Sequence, residues 1–525
     1  MSNMNTDLTA TQKDYALFLP ATSGFYAAFI GYQRKRYPYV QPSRIPQNFV
    51  NDVESLNFLD PNNGLFHYKW ALYSAGHANL NLNKQDDREE MFRTRDRSGT
   101  SWVLGDSGGF QIGKGKWEAD WKDPNCPAAA KKRSQVLNWM DNLMDYGMCL
   151  DIPAWVARSP EGAKASKINS YLEAVQGTYI NNEYFIRNRN GNCKFLNVLQ
   201  GENHSDADDW YSRMKKFCDP KQYPDAHFNG WAMGGQNMCD VHLVLKRLVA
   251  LRFDGLLEQG LQDWMHFLGT SKLEWAVLLT DIQRAVRKYH NPNFTISFDC
   301  ASPFLATANG QMYVQTEIED RKKWLYRMLS TLDNKQYASD TRLFRDTLVQ
   351  DGIYPYIENS PVLDGVKTNE ICVYAPGNLN RMGKENKTSW DSFTYAILMG
   401  HNVWMHLTSV QEANRQYDAG LTPAMLVQER FDRIYFRDVV DAIFATSDRG
   451  EADKIVEDFS RFWMSIPGTR GATGKKTVNA STHFHNLFEE VEQEEEQQQE
   501  QAHNEEFTDD EVHNLEVLED EQLQQ

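Results

Sequence analysis

Short apolar runs with aromatic and β-branched character recur through the first part of the chain, and each ends in a cluster of small or polar residues. They occupy 15–19 before PATSG, 68–73 before SAGH, 102–104 before GDSGGFQ and 147–150 before DIPAW. Four more follow, at 195–199 before QGEN, 230–233 before GGQN, 265–268 before GTS and 294–298 before DCASP. Runs of this length with turn-forming ends read as buried strands. Between several of them apolar residues return every three or four positions, predicting helices over 130–146, 206–217, 238–251 and 272–289. Strand and helix alternating eight times is the pattern of an α/β fold, specifically a (β/α)8 TIM barrel carrying insertions.

After the eighth run the spacing turns helical, over 314–332, 340–350, 389–417, 423–444 and 451–464. The first of these is expected to be the last barrel helix, and the others a C-terminal helical layer. The resulting division is a barrel over 1–335, a helical region over 336–466, a linker over 467–488 and an acidic tail over 489–525. The linker contains PGTRGATGKK, which has no periodicity, and the Glu/Gln-rich tail cannot bury enough apolar surface to order itself.

Composition narrows the class. Of 525 residues 41% are hydrophobic and 32 are glycine, which excludes a wholly disordered or collagen-like chain. The formal charge of −17 is unevenly spread, because 489–525 holds 16 Asp and Glu and no Lys or Arg. That leaves 55 basic against 72 − 16 = 56 acidic residues in the first 488. A near-neutral folded part leaves a polyanionic partner open. Seven cysteines, with no close pair, read as reduced thiols in a cytoplasm. Without a signal-peptide pattern or a long apolar run, the protein is expected to be cytoplasmic and to have no membrane partner.

In a (β/α) barrel, chemistry gathers where the C-terminal ends of the strands converge. The first residues past those ends are Asp106, Asp151, Gln200, Gly234 with Gly235, and Asp299. Asp and Gly are also ordinary turn residues, but their repetition at five strand ends points to one mouth lined by three carboxylates and an amide. DSGGFQ adds two flexible glycines and the Phe110 ring, which suit close approach to a flat ligand.

The strings LGDSGGFQ, VLQG, FNGWAMGG and ISFDCASP, in this order and spacing, resemble the tRNA-guanine transglycosylases, which exchange guanine for a 7-deazaguanine without cutting the nucleic-acid backbone. The resemblance covers about 15–310, and more weakly 389–417, where GHNVWMHL is similar to the family's HN-containing helix. It implies that Asp299 is the nucleophile and Asp106 the acid/base. Asp151, Gln200 and the Gly235 N–H would bond the edge of the base, with Ser107 and Gly234 in the same pocket. Phe110 and Leu268, the latter standing where the family usually has Met, would sandwich the ring. A carboxylate that captures C1′ splits one hard substitution into two, as in retaining glycosidases. A second carboxyl must then protonate the leaving purine. No cofactor is implied.

Two departures redirect the expectation. The family's zinc site needs a cysteine cluster joined by the helix histidine, but from Asp299 onward only Cys300 and Cys372 accompany His401, so no structural metal is expected. The Arg-containing stretch that follows FDC in tRNA-acting members is FLATANG here. These features, with 31–44 reading as an insertion, are more similar to the divergent phage-type branch that places 7-deazaguanines in DNA. DNA is therefore the expected partner, with a preQ0-like base as co-substrate. The alternatives are tRNA as substrate, and a non-catalytic nucleic-acid-binding subunit; a homodimer is left open.

Basic stretches with interleaved aromatics fit a nucleic-acid groove, or else solvated helix faces. They are YQRKRYPY, with Arg34, Lys35 and Arg36; KKR at 131–133; RAVRKYH at 284–290; and RKKWLYR, with Arg321, Lys322 and Lys323. GKGK at 113–116 lacks the spacing of a P-loop. The tail either solubilises the chain or competes for that groove.

Overall fold

The computed structural model describes residues 6–35, 38–83, 90–373, 389–429 and 433–468, with the backbone alone at 32–35 and 90. Eight parallel strands form one nearly closed barrel: β1 (Leu17–Pro20), β2 (Trp70–Ser74), β3 (Trp102–Asp106), β4 (Tyr146–Met148), β5 (Lys194–Leu199), β6 (Gly230–Met233), β7 (Trp264–Phe267) and β8 (Thr295–Cys300). Neighbours in sequence are neighbours in space, and β8 returns to pair with β1. The seam between β1 and β2 is drawn together by an Ala21–Leu72 bridge and a 3.0 Å bond from Thr22 N–H to the Leu72 carbonyl. All eight expected strands are present, each within a few residues of its expected span.

Because side chains alternate along a strand, every second residue faces the barrel axis. Leu17, Leu19, Leu72, Leu104, Tyr146, Met148, Leu196, Val198 and Ala232 form this interior cluster. At its N-terminal end the Trp102 and Trp264 rings stack at 4.2 Å beside Tyr146 and plug the floor. Each leucine so buried stabilises by about 1.5–3 kcal/mol. The next inward positions along the strands, above this layer, carry Ser74, Asp106 and Asp299, and just past two strand ends Gln200 and Gly234.

Outside the barrel run α1 (Gly24–Lys35), α2 (Pro127–Leu143), α3 (Tyr171–Asn188), α4 (His204–Met214), α5 (Val241–Phe253) and α6 (Leu273–Tyr289). Side-chain caps start several of them: the Asn203 side chain accepts from Asp206 N–H for α4, and Asp240 accepts from Leu243 N–H for α5.

The stretch 314–332, expected as the last barrel helix, is instead a β-hairpin of β9 (Gln311–Ile318) and β10 (Trp324–Ser330). A register shift between Tyr313 and Gln315 breaks the strict alternation that would have marked a strand. The helix packed against both α1 and α6 is α7 (Ser392–Asp418), which lies far downstream in sequence. It is tied to α6 by Thr280 Oγ1 donating to Asn414 Oδ1 at 2.7 Å and by Tyr417 O–H donating to Asp281 Oδ2 at 2.5 Å.

The stretch 423–444 is also not one helix. Val427–Gln428 pairs with Ile434–Tyr435, and α8 (Phe436–Ala445) begins only after that turn. α8 lies on α6, and α9 (Arg449–Asp458) lies on α5. Trp275 Nε1 donates to the Pro467 carbonyl at 2.9 Å, close to the end of the described chain. The expected tail, most of the expected linker, Arg36 and the side chains of Arg34 and Lys35 lie outside the described residues. Among the described residues no helix is long and apolar enough to cross a membrane.

Candidate active site

The inward alternation that builds the barrel core also sets its mouth. Asp106 is the last residue of β3, two places beyond the buried Leu104, and Asp299 lies two beyond Ser297 on β8. The two strands are three apart around the ring, yet their carboxyl groups face the same space. Burial raises the Asp106 pKa, and the negative charge of Asp299 raises it further, against the lowering effects of the Ser74 and Gly108 hydrogen bonds. Ser74 Oγ donates to Asp106 Oδ2 at 2.6 Å.

Asp299 is buried and held on one oxygen. Its Oδ1 accepts from Gly269 N–H at 2.9 Å and meets His266 Nε2 at 3.1 Å. Gly269 adopts φ +61°, a conformation that glycine takes without strain and that turns its N–H toward the carboxylate. Among the described residues Oδ2 has no hydrogen-bond partner, so it is the oxygen left for chemistry.

Asp151 follows the end of β4, where strand alternation no longer applies. Its side chain is buried against the turn after β3, since a Cβ on Gly109 would fall 2.9 Å from Asp151 Oδ1 and 2.5 Å from its carbonyl oxygen. Gln200 Nε2 donates to Asp151 Oδ2 at 2.8 Å. Burial, with a contribution from the Asp106 charge, pushes the Asp151 pKa up to about 7 despite the Gln200 bond. A Cβ on Gly234 would lie 2.8 Å from Gln200 Nε2, and one on Gly235, at φ +55°, would lie 3.0 Å from Gln200 Oε1. Glycines at these two positions are what allow the amide to sit there.

Asp151, Gln200, Gly234 and Gly235 are in direct contact, and Asp106 stands near enough for its charge to act on Asp151 and for the charge of Asp299 to act on it. Ser107 is buried beside them, with its Oγ lacking a partner among the described residues. Phe110 follows β3 and Leu268 directly follows β7, two strands on opposite sides of the ring. Phe110 leans on Trp155 at 5.7 Å, and Leu268 packs against Met238.

The basic residues are placed differently. Arg321, Lys322 and Lys323 form the turn of the β9–β10 hairpin. Arg321 pairs with Glu429 at 2.7 Å, while Lys323 pairs with Glu317 at 2.8 Å and Glu319 at 3.0 Å; Lys322 is exposed. The Ser302–Ala308 helix, which carries most of FLATANG, buries Phe304, Leu305 and Ala306. His401 spends both ring nitrogens on hydrogen bonds, to Ser360 Oγ at 2.8 Å and the Tyr313 carbonyl at 2.7 Å. Cys300 and Cys372 do not join it in a four-ligand set. Among the described residues no group of three or more His, Cys, Asp or Glu is arranged to hold a metal ion.

Two residues of this mouth escaped the sequence reading, Ser74 and His266. Both lie on the inward positions of their strands, Ser74 two beyond Leu72 and His266 two beyond Trp264.

No protein-family model matches the chain, and no curated protein matches it in sequence.

Proposed function

We propose that the protein is a transglycosylase that exchanges guanine in DNA for a preQ0-like 7-deazaguanine through a covalent ester between Asp299 and deoxyribose. The observation that carries this reading is the pair Asp106 and Asp299, close enough at one barrel mouth for the charge of Asp299 to act on Asp106, beside the buried Asp151–Gln200 pair.

The division of labour follows from the surroundings of each carboxyl. Asp299, fixed through Oδ1, offers Oδ2 to C1′ as the bond from C1′ to the purine breaks. Asp106, whose pKa burial raises, supplies the proton that the leaving guanine takes up, and is left as a carboxylate. The incoming base gives a proton to Asp106 and attacks C1′ from the vacated face. The ester bond breaks and returns the electron pair to Asp299. Asp151 and the Gln200 amide would read the hydrogen-bonding edge of the base, and Phe110 and Leu268 its two faces. A base stacked in a duplex cannot reach such a pocket, so the target nucleotide must be turned out of the helix.

DNA is favoured over tRNA because the segment after Asp299, where the tRNA-acting members that the chain resembles carry an Arg-containing stretch, is here a short helix that buries Phe304, Leu305 and Ala306. Labelled guanine mixed with the protein and either duplex DNA or tRNA tests this directly. Label should enter DNA, and acid quenching should trap a protein–DNA adduct that Asp299→Ala abolishes. Incorporation into tRNA alone would move the substrate to RNA. Nucleic-acid binding without exchange or adduct would make the chain a non-catalytic subunit.

A further inference from the structure

Behind Asp299 a file of polar side chains runs down the barrel interior, in a place otherwise filled by aliphatic and aromatic groups. Trp264 and His266 are alternate residues of β7, and Ser297 and Asp299 are alternate residues of β8, with Ser297 and His266 in direct register. Trp264 Nε1 donates to Ser297 Oγ at 2.8 Å. The same oxygen lies 2.8 Å from His266 Nδ1, and His266 Nε2 lies 3.1 Å from Asp299 Oδ1. His266 and Ser297 are wholly buried. A buried polar file of this kind survives only if each member has a partner of the right sense.

The direction of the file follows from donor and acceptor chemistry. An indole N–H can only donate, so Ser297 Oγ accepts from Trp264. Among the described residues the one acceptor within reach of the Ser297 hydroxyl proton is His266 Nδ1. That leaves Nδ1 without a proton and puts the imidazole proton on Nε2, where it points at the Asp299 carboxylate. The opposite tautomer would set a nitrogen lone pair against a carboxylate oxygen and leave the serine proton unused.

We infer that His266 is a positioning residue for Asp299, a neutral imidazole held in its Nε2–H form by Trp264 and Ser297. Together with Gly269 N–H it occupies Oδ1, so that the glycosyl ester forms and breaks at Oδ2 alone. As the ester breaks, the carboxylate's returning charge meets a proton donor already in place, with no solvent to reorganise. The inference rests on the proposed role of Asp299 and adds the groups that aim it.

Nitrogen-15 NMR of histidine-labelled protein tests the tautomer without any turnover, the His266 signals being assigned by their loss in His266→Gln. The Nε2–H form is expected, with the Nδ1 resonance moving in Ser297→Ala and the Nε2 resonance in Asp299→Asn. An Nδ1–H or doubly protonated ring in the wild type would overturn the inference. The kinetic arm compares His266→Phe with His266→Gln, whose side-chain amide can still donate where Nε2 did. The phenylalanine variant should slow adduct formation by about 100-fold, the scale of losing one preorganised donor, with the KM for the base little changed. The glutamine variant should recover most of that rate. Equal rates in the two variants would refute the role. If no exchange occurs on any nucleic acid, the proposed function fails while the tautomer measurement still reads the file.

Discussion

Under the proposed function, in which Asp151 reads the edge of guanine, this single buried carboxyl links recognition to pH. Burial raises its pKa to about 7, so at pH 6 most molecules carry the neutral acid. Guanine presents N–H donors on this edge, which only the carboxylate can accept twice. Binding must therefore release a proton below pH 7 and release none well above it. Affinity for guanine should rise by about tenfold per pH unit on approaching pH 7 from below and then level off. Calorimetry in buffers of different ionisation enthalpy checks both affinity and proton release, and Asp151→Asn should flatten the profile as well as weaken binding. A wild-type affinity independent of pH from 5.5 to 8 would show that Asp151 does not meet the donor edge. The residues whose backbone position announces them, such as Asp106, Gln200 and Asp299 after strand runs, were legible in the sequence. His266 was not, because a histidine within WMHFL carries no motif, and its role exists only once β8 lies alongside.

Among the elements, the strands were the most legible, since eight apolar runs each terminate in turn-forming residues. The hairpin β9–β10 was not. Its turn, EDRKK, lacks the Gly or Asn that marks a tight reversal, and the shift in register at Tyr313 places Met312, Tyr313 and Val314 all in buried positions. An apolar cluster of that kind fits a helical period as well as a strand. The helix α7 is legible as a helix, but its contacts with α1 and α6 depend on long-range pairing that no local pattern contains.

The junction of α6 and α7 makes a quantitative prediction. Burial pushes the Asp281 pKa up to about 7, while the Tyr417 hydroxyl and the Arg284 charge act to lower it. A carboxyl whose folded pKa lies above its unfolded value costs stability as pH rises from the unfolded value, about 4, to the folded one. At about 1.4 kcal/mol for each pH unit crossed, the cost reaches up to about 4 kcal/mol. Asp281→Asn keeps an oxygen to accept from Tyr417 and removes that cost. The variant should gain in Tm over the wild type at pH 8 and show little or no gain at pH 4.5. A difference in Tm that is the same at both pH values would mean that Asp281 is ionised in the folded protein at low pH as well.

At the scale of the whole molecule the question is where a polyanion would lie, given that the chain is itself strongly acidic. Much of the basic surface is already neutralised internally. Arg284 bridges Asp14 and Asp418, Lys288 pairs with Asp441, and Arg327 pairs with Glu317, so 284–290 and 321–327 serve largely to tie α6, α7, α8 and the hairpin together. Lys131 and Lys132 form no ion pair among the described residues, and Lys132 lies 4.8 Å over the Trp117 ring, which itself covers Gly108 beside Asp106. With 55 basic and 56 acidic residues in the first 488, the chain offers a polyanion a modest attraction. The 16 acidic residues of 489–525 oppose it. Removing 489–525 should therefore tighten binding to duplex DNA by about tenfold or more at low salt, with the gain shrinking as added salt screens the tail's charge. Titrations of the full-length and shortened chains over a series of salt concentrations measure it. Equal affinities at low salt would show that the tail neither competes for the cationic surface nor repels the nucleic acid, and would leave solubility as its function.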